Sequence, residues 1–176
     1  QEDAALAATI LNRMEDHGEA DGDLWSLYGL SLTIPAGWAL EKHQLMAGYT
    51  MLQFRRADRI LRAERWGLAN VALKEQSLEE FLHGKSRKFW REYRLRPSDW
   101  EWRGHTGVTL SGPTRKWWVR VSAAVRRVLK KPAAEMMTVR AWHCDRENKV
   151  FALHAVHPRG EMGELERVLA SLACHG

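Results

Sequence analysis

Apolar and polar residues alternate over several short stretches of the chain, which is the pattern of β-strands with one buried face. Leu30, Leu32 and Ile34, for example, alternate with a serine and a threonine. The same pattern predicts six further strands: Tyr49–Arg55, Ile60–Trp66, Trp100–Leu110, Trp117–Leu129, Met136–Cys144 and Val150–His157. A turn at Gly112 and Pro113 separates the third of these from the fourth. The last two strands carry apolar residues at both parities, so we expect them to be central and covered on both faces.

Other stretches show apolar residues three and four positions apart, which is the spacing of one face of an amphipathic helix. These stretches are Asp3–His17, Leu68–Tyr93 and Glu161–Ala173. Ser77 followed by Glu80 is a capping-box pattern, so a new helix is expected to begin there. The pattern as a whole predicts an α+β fold, with a mostly antiparallel sheet of about six to seven strands and helices packed on both faces. Residues 1–23 form an acidic N-terminal helix and linker, and residues 24–176 form a single α/β/α sandwich domain.

The first predicted strand runs directly into Pro35, Gly37 and Trp38. Proline has no N–H to donate to a neighbouring strand and glycine permits a turn, so the tryptophan can fold back over the end of the sheet. This motif, followed by a hairpin, a long helix, a meander and a C-terminal helix, resembles the PsbP-like superfamily over residues 25–174. The resemblance implies an α/β/α sandwich with little catalytic activity, as in an extrinsic subunit of photosystem II, a nuclear-import factor that binds a small GTPase, and secretion chaperones. It transfers no individual functional residue, because the matching positions are structural.

Composition and charge are those of a globular protein with an uneven charge distribution. The 176 residues suit one ordinary domain, and 45% of them are apolar and 28% charged. Residues 1–23 carry seven acidic side chains and one arginine, so this segment has a net charge of −6 while the whole chain has +5. No apolar run reaches the roughly 20 residues that cross a bilayer, and the first residues lack the features of a secretory signal. We therefore expect a cytoplasmic protein without a membrane partner, and, because the sequence does not begin with methionine, a processed chain or a piece of a longer one.

Much of the positive charge lies in two stretches, residues 85–96 and 115–131. If the second stretch is a strand, its alternating valines face the core and Arg120, Arg126 and Lys130 project together on the other side. Adjacent tryptophans on a strand cannot both be buried on one face, so at least one of them should be exposed. Tryptophan and arginine are typical of protein-binding hot spots. The predicted partner-binding residues are Arg115, Lys116, Trp117, Trp118, Arg120, Arg126 and Lys130.

This basic, tryptophan-bearing face is expected to bind an acidic protein partner, or another segment of a longer parent chain. The alternatives are a nucleic acid, whose counterions a basic surface releases and whose bases stack on tryptophan, and a sugar that rests on the same rings. The tryptophans could also simply pack over the sheet with arginines stacked on them. In that case the acidic segment of residues 15–23 could lie across the face as an internal shield.

Two cysteines and two histidines form a mirrored pair, His143-Cys144 and Cys174-His175, and together they would match a common zinc ligand set. Adjacent residues on a strand point to opposite faces, so His143 and Cys144 cannot easily reach one metal ion, and no C-x2-C spacing is present. We therefore expect two buried thiols, with a disulfide between the two cysteines and a metal site as the alternatives.

The sequence contains none of the short motifs that mark nucleophilic, nucleotide-binding or zinc-protease sites. His154 shares a parity with apolar neighbours, so we expect it to be a core residue with hydrogen-bond partners. No catalytic residue and no cofactor is assigned. The leading hypothesis is a non-enzymatic protein-interaction or chaperone-like domain, and a metal-dependent hydrolase is the rival from another functional class.

Overall fold

A computed structural model describes residues 22–128 and 133–174 of the chain. The described residues form these strands: β1 (Asp23–Leu27), β2 (Leu30–Ile34), β3 (Ala39–Met46), β4 (Tyr49–Arg56), β5 (Arg59–Gly67), β6 (Arg96–Trp102), β7 (His105–Pro113), β8 (Met136–Cys144) and β9 (Lys149–His157). They also form these helices: α1 (Ala69–Ala72), α2 (Leu78–Trp90), α3 (Trp117–Val128) and α4 (Gly163–Ser171). The predicted helix Asp3–His17 lies outside the described residues.

Seven strands form one antiparallel sheet in the order β3-β4-β5-β9-β8-β7-β6, and β1 and β2 form a separate hairpin. The predicted central strands β8 and β9 pair in register from Met136 opposite His157 to Cys144 opposite Lys149. Every residue of β9 after Lys149 is buried, as expected of a strand that is covered on both faces. The α+β class and the mainly antiparallel sheet that the sequence predicts are therefore confirmed.

Helices cover both faces of this sheet. On one face, α4 and the β1–β2 hairpin enclose a core that includes Leu32, Trp142 and Phe151. On the other face, α2 packs Phe81 and Leu82 onto the sheet. The helix α2 begins with the predicted capping box, in which the Ser77 N–H donates to Glu80 Oε2 at 2.8 Å and the Glu80 N–H donates to Ser77 Oγ at 3.2 Å.

The segment after β2 has the predicted structural role. The strand ends at Ile34, Gly37 adopts a positive φ of 84° that favours glycine, and Trp38 turns back into the core with 7% of its surface exposed. The guanidinium of Arg56 lies 5.0 Å from the centre of the Trp38 ring and covers its outer side. Trp38 therefore closes the core at the end of the sheet.

The predicted strand Trp100–Leu110 is two strands rather than one. Strands β6 and β7 are joined by a tight turn at Arg103 and Gly104, and the two tryptophans of β6 precede this turn. The predicted turn at Gly112 and Pro113 is also wrong, because both residues lie within β7. Glycine is required at position 112 because a Cβ atom there would lie 1.9 Å from the carbonyl oxygen of Arg94.

The largest departure is that the predicted strand Trp117–Leu129 is the helix α3. Strands β7 and β8 pair directly with each other, so the segment between them has no place in their ladder. A helix satisfies its backbone hydrogen bonds within itself and needs no neighbouring strand. The placement of Arg120 and Arg126 on one side of a strand is therefore wrong, and Lys130 lies outside the described residues.

The sequence pattern does not predict strands β1 and β3, because both are largely exposed. All eight residues of β3 are solvent-exposed, and in β1 three of the five residues are exposed and the other two are half-buried. Apolar and polar residues alternate along a strand when one of its faces is buried. An exposed edge strand has no buried face, so its sequence need not show this alternation. Within the part of the chain that the structure describes, no helix has the length and apolar character that a membrane crossing requires.

Replacing the buried tryptophan at the sheet end should strongly destabilise the fold. Trp38→Ala is expected to lower the free energy of unfolding by about 3–5 kcal/mol, because a large side chain leaves a cavity in a packed core. Urea denaturation measures this change. The same substitution at Trp117, which is 67% exposed, is the matched control and should change stability by less than about 0.5 kcal/mol. Equal losses in the two variants would contradict the structural role of Trp38.

Candidate functional site

Helix α3 presents an apolar face to solvent. The exposed fractions are 67% for Trp117, 56% for Trp118, 54% for Val121 and 56% for Val125. Residues 117, 121 and 125 are four apart and therefore lie on one side of the helix, and Trp118 lies beside them because it is three and seven residues from the two valines. Single exposed apolar residues are ordinary, whereas a continuous apolar stripe indicates an interaction surface. We call these four side chains the α3 face.

The other side of α3 attaches the helix to the domain. Ala123 is 1% exposed, and Arg126 Nη1 lies 3.2 Å from Asp58 Oδ2 in the turn between β4 and β5. The segment before the helix is held by Thr114, whose N–H donates to the carbonyl of Glu135 at 2.8 Å. Ala123 and the Arg126–Asp58 ion pair therefore attach this side of the helix, and the four residues of the α3 face lie on the outside.

The predicted basic partner-binding residues are on or near α3, but they do not form one row. Lys116 Nζ pairs with Glu92 Oε1 at 2.7 Å, and Arg115 Nε donates to the carbonyl of Tyr93 at 2.9 Å. Arg120 is exposed and forms no ion pair with any residue in the described ranges. Lys130 lies outside the described residues. The sequence predicted that at least one of Trp117 and Trp118 is exposed, and in the structure both are.

A basic cleft lies at Arg115, two residues before this helix begins. Its volume is about 290 Å³, and it is lined by Arg87 of α2, by Arg91, which directly follows that helix, and by Arg115. The remaining lining residues are Glu79, His83, Trp90, Tyr93, Leu95 and Leu110. The cleft joins the two basic stretches of the sequence, residues 85–96 and 115–131, in one place. We call it the arginine cleft. Sequence reasoning found both stretches but not their meeting, because the residues between them form β6 and β7.

Two tryptophans of β6 have the structural role that was considered for Trp117 and Trp118, in which the ring packs over the sheet with an arginine stacked on it. Trp100 and Trp102 project from the same face of β6, and their rings stack with centroids 6.3 Å apart. Arg140 and Arg103 lie over these two rings at 5.2 Å and 4.6 Å. The arrangement in which an arginine stacks on a tryptophan over the sheet is therefore found in β6. Trp117 and Trp118 instead pack edge to face with each other and are exposed to solvent.

A buried polar network lies between the sheet and α2. Glu64 is 1% exposed, and it accepts hydrogen bonds from Tyr49 Oη and from Arg62 Nη2, the latter at 2.6 Å. His154 is fully buried, and its Nε2 lies 2.6 Å from Glu64 Oε2, a close electrostatic contact outside standard hydrogen-bond geometry. Trp90 Nε1 donates to His154 Nδ1 at 3.2 Å, so Nδ1 is the acceptor and Nε2 is the ring nitrogen that faces the carboxylate.

This network supports the core and does not form an open site. Burial alone would raise the pKa of Glu64, but His154, Arg62 and Tyr49 together hold that pKa well below its ordinary value of 4.5. Both members of the central pair are shielded from solvent, so a substrate cannot reach them. The prediction that His154 is a core residue with partners is confirmed. Glu64 was not predicted, and its only sequence signal is a carboxylate at the same parity as the apolar Ile60 and Trp66 of β5.

The thiols and histidines that the sequence suggested as weak metal ligands are only partly brought together. Cys144 is fully buried, Cys174 is 7% exposed, and the two are not disulfide-linked. The third member of their cluster is His105, whose Nε2 lies 3.4 Å from Cys174 Sγ. His143 faces the other side of β8, where its Nδ1 lies 3.2 Å from Asp145, and His175 lies outside the described residues. Burial and the nearby Cys144 raise the pKa of the Cys174 thiol, while the Trp142 indole N–H opposes that rise.

Comparisons with known proteins show similarity in structure only. No family model matches the chain, and no curated protein sequence matches it. Two structures of Mog1, one of them the Ran-binding protein Mog1p of Saccharomyces cerevisiae, are each 10% identical over 88% of this chain and 96% of that chain, with a TM-score of 0.50. A protein of Bacteroides thetaiotaomicron is 13% identical over 89% of this chain, with a TM-score of 0.49, and this chain spans 49% of its length. Similarity at this level to Mog1 shows a shared fold and no more.

The buried network should make stability depend on pH through Glu64. A carboxyl group whose pKa is lowered in the folded protein stabilises the fold above its unfolded pKa, and that contribution is lost as the pH falls toward the folded pKa. Glu64→Gln is expected to cost about 3–5 kcal/mol near neutral pH, because it leaves Arg62 without its buried partner. The difference from the parent should narrow as the pH falls below about 4.5.

Urea denaturation of both proteins at roughly pH 7 and roughly pH 3.5 measures this narrowing. Glu101→Gln is the control, since Glu101 is exposed, and its stability should stay within about 0.5 kcal/mol of the parent at both pH values. A stability difference for Glu64→Gln that is the same at both pH values would show that the carboxylate is not the stabilising species.

Proposed function

We propose that this domain binds an acidic protein partner without catalysing a reaction, and that the α3 face and the arginine cleft form the contact. The observation that carries the proposal is the continuous apolar stripe of α3, with two tryptophans more than half exposed. Apolar side chains that are exposed to water are unfavourable, and the free energy falls when an apolar surface of a partner covers them. The partner segment is either in another protein or in a longer parent chain.

The charges around the stripe define the chemistry of the partner. Arg120 stands beside the stripe without a counter-ion in the described residues, and three arginines converge on the adjacent cleft. A segment that carries both apolar and acidic side chains would place the former on α3 and the latter at the arginines. In such an interface the buried tryptophans supply most of the affinity, and the surrounding charges mainly govern the association rate and the choice of partner.

A protein partner explains the face better than a nucleic acid does. Tryptophan and arginine suit both partners, but Val121 and Val125 offer neither a ring for stacking nor a donor for phosphate. Residues at positions i, i+4 and i+8 are the anchors with which an amphipathic helix contacts an apolar groove or another helix. The valines therefore favour a protein.

The fold is compatible with this function. We propose that the chain belongs to the PsbP-like superfamily, on the strength of the Pro35-Gly37-Trp38 segment with its buried tryptophan and of the order of the elements. Mog1p, which has the same fold, is a Ran-binding protein, so this architecture supports protein binding in at least one case. We also propose a cytoplasmic location, since two buried cysteine side chains suit a protein that folds in a reducing compartment.

A defined peptide tests the contact surface directly. The probe is a labelled acidic peptide with leucines three and four residues apart and glutamates elsewhere, and its binding to the full chain is measured by fluorescence anisotropy. Trp117→Ala should weaken binding by roughly 30-fold or more, as for a hot-spot residue. Val121→Ser should also weaken it, whereas Val71→Ser, at a valine that is 67% exposed on α1, should not.

The charged part of the surface has its own variants. Arg91→Glu and Arg120→Glu are each expected to weaken binding by up to about fivefold and to reduce its dependence on salt between roughly 50 and 300 mM. Arg146→Glu, at an exposed residue in the turn between β8 and β9, is the matched control. A peptide of the same composition with scrambled leucines should bind weakly. Equal binding of the two peptides would overturn the proposal, as would tighter binding of single-stranded DNA that Val121→Ser leaves unchanged.

A further inference from the structure

Three potential metal ligands meet where β7, β8 and the C-terminal segment come together. The Sγ atoms of Cys144 and Cys174 and a ring nitrogen of His105 all lie within 4.8 Å of one another. From this geometry we infer that His105, Cys144 and Cys174 bind a zinc ion. The site is separate from the α3 face and does not depend on the proposed function.

The distances suit a tetrahedral ion with little rearrangement. Zinc binds cysteine sulfur at about 2.3 Å and histidine nitrogen at about 2.0–2.1 Å, so a tetrahedral site places sulfur and nitrogen about 3.5 Å apart and two sulfurs about 3.8 Å apart. The observed distance from Cys174 Sγ to His105 Nε2 is 3.4 Å. Side-chain shifts of a few tenths of an ångström to about one ångström would therefore complete the set.

The sheet register places two of the ligands on one face. Gly107 pairs with Trp142 across β7 and β8, and continuing this register by two residues sets His105 opposite Cys144. Side chains two residues apart on a strand share a face, so Cys144 projects on the same side as the buried Trp142. His143, between them, faces the other way and cannot join the site.

The third ligand is held in place by contacts at the end of α4. The N–H of Ala173 donates to the carbonyl of Ser31 at 3.0 Å. Arg103 donates to the carbonyls of Ala170 at 2.8 Å and Leu172 at 3.2 Å. These bonds fix the chain on both sides of Leu172, and Cys174 follows directly. A bound ion would join this C-terminal segment to the central sheet.

The donor set and its surroundings favour zinc over other common ions. Two thiolates and an imidazole are ligands typical of zinc, whereas magnesium and calcium require oxygen ligands. The thiols are buried, and His105 is only half-buried, so the site opens to solvent on the histidine side. The fourth position would take a water molecule.

Metal analysis and cobalt substitution of the full chain test the site. Zinc alone is the first probe: the reduced protein, after removal of weakly bound metal, should retain or take up about one zinc ion per chain, and zinc should raise its melting temperature. Cobalt(II) is the second probe and should show the ligand-field bands of a tetrahedral site together with thiolate-to-cobalt charge transfer.

Matched variants decide which residues bind the ion. His105→Ala should weaken zinc binding by more than the roughly 10–100-fold that loss of a supporting group costs, and Cys174→Ser should abolish the charge-transfer contribution of that sulfur. His143→Ala, next to Cys144 but on the other face, should bind zinc like the parent. Cys144 is fully buried and its variant could fail to fold, so the half-buried His105 carries the test. A cobalt complex without thiolate charge transfer, or parental zinc affinity in His105→Ala, would overturn the inference.

Discussion

The burial of both faces of the central strands is the constraint on which the rest of this structure depends. Strand β9 has no exposed residue after its first position, so the sheet requires a layer on each side. Helix α2 forms one layer, and α4 with the β1–β2 hairpin forms the other. Helix α3 connects two strands that already pair with each other, so it belongs to neither layer. Its apolar face is exposed because the sandwich is complete without it.

The two layers differ in the chemistry that they enclose. The α2 layer covers a charged group, Glu64, and a buried carboxylate is tolerated only because Arg62, Tyr49 and His154 surround it. Trp90 links this network to the surface, since its indole donates to His154 while its ring lines the arginine cleft. The α4 layer instead encloses two thiols beside a histidine at its open end. The buried pair thus supports the cleft from below, and the thiol cluster lies at the margin of the opposite layer.

Prediction from sequence succeeded where burial acts on neighbours in the chain. The strand β2, the hairpin β4–β5, the central pair β8–β9, the capping box of α2 and the buried Trp38 all follow from local periodicity or from the chemistry of a few adjacent residues. It failed at α3 because Trp117, Val121 and Val125 share a face in a strand as well as in a helix. It failed at β3 because an exposed edge strand has no buried face and therefore shows no alternation of apolar and polar residues. The exposure of Trp117 and Trp118 was predictable in part, since two adjacent bulky residues cannot both be buried on one face.

The sequence by itself determined the α+β class, the positions of most buried strands and helices and the presence of two basic stretches, because these depend on the order of residues along the chain. Only the tertiary structure decided that α3 is a helix, since this followed from the direct pairing of β7 with β8. It also brought Arg87, Arg91 and Arg115 into one cleft and placed His105 beside Cys144 and Cys174. These residues are far apart in the chain, and no periodicity records which strands will become neighbours. Strand pairing is set by the burial that the whole domain achieves, and the composition of each site follows from that pairing.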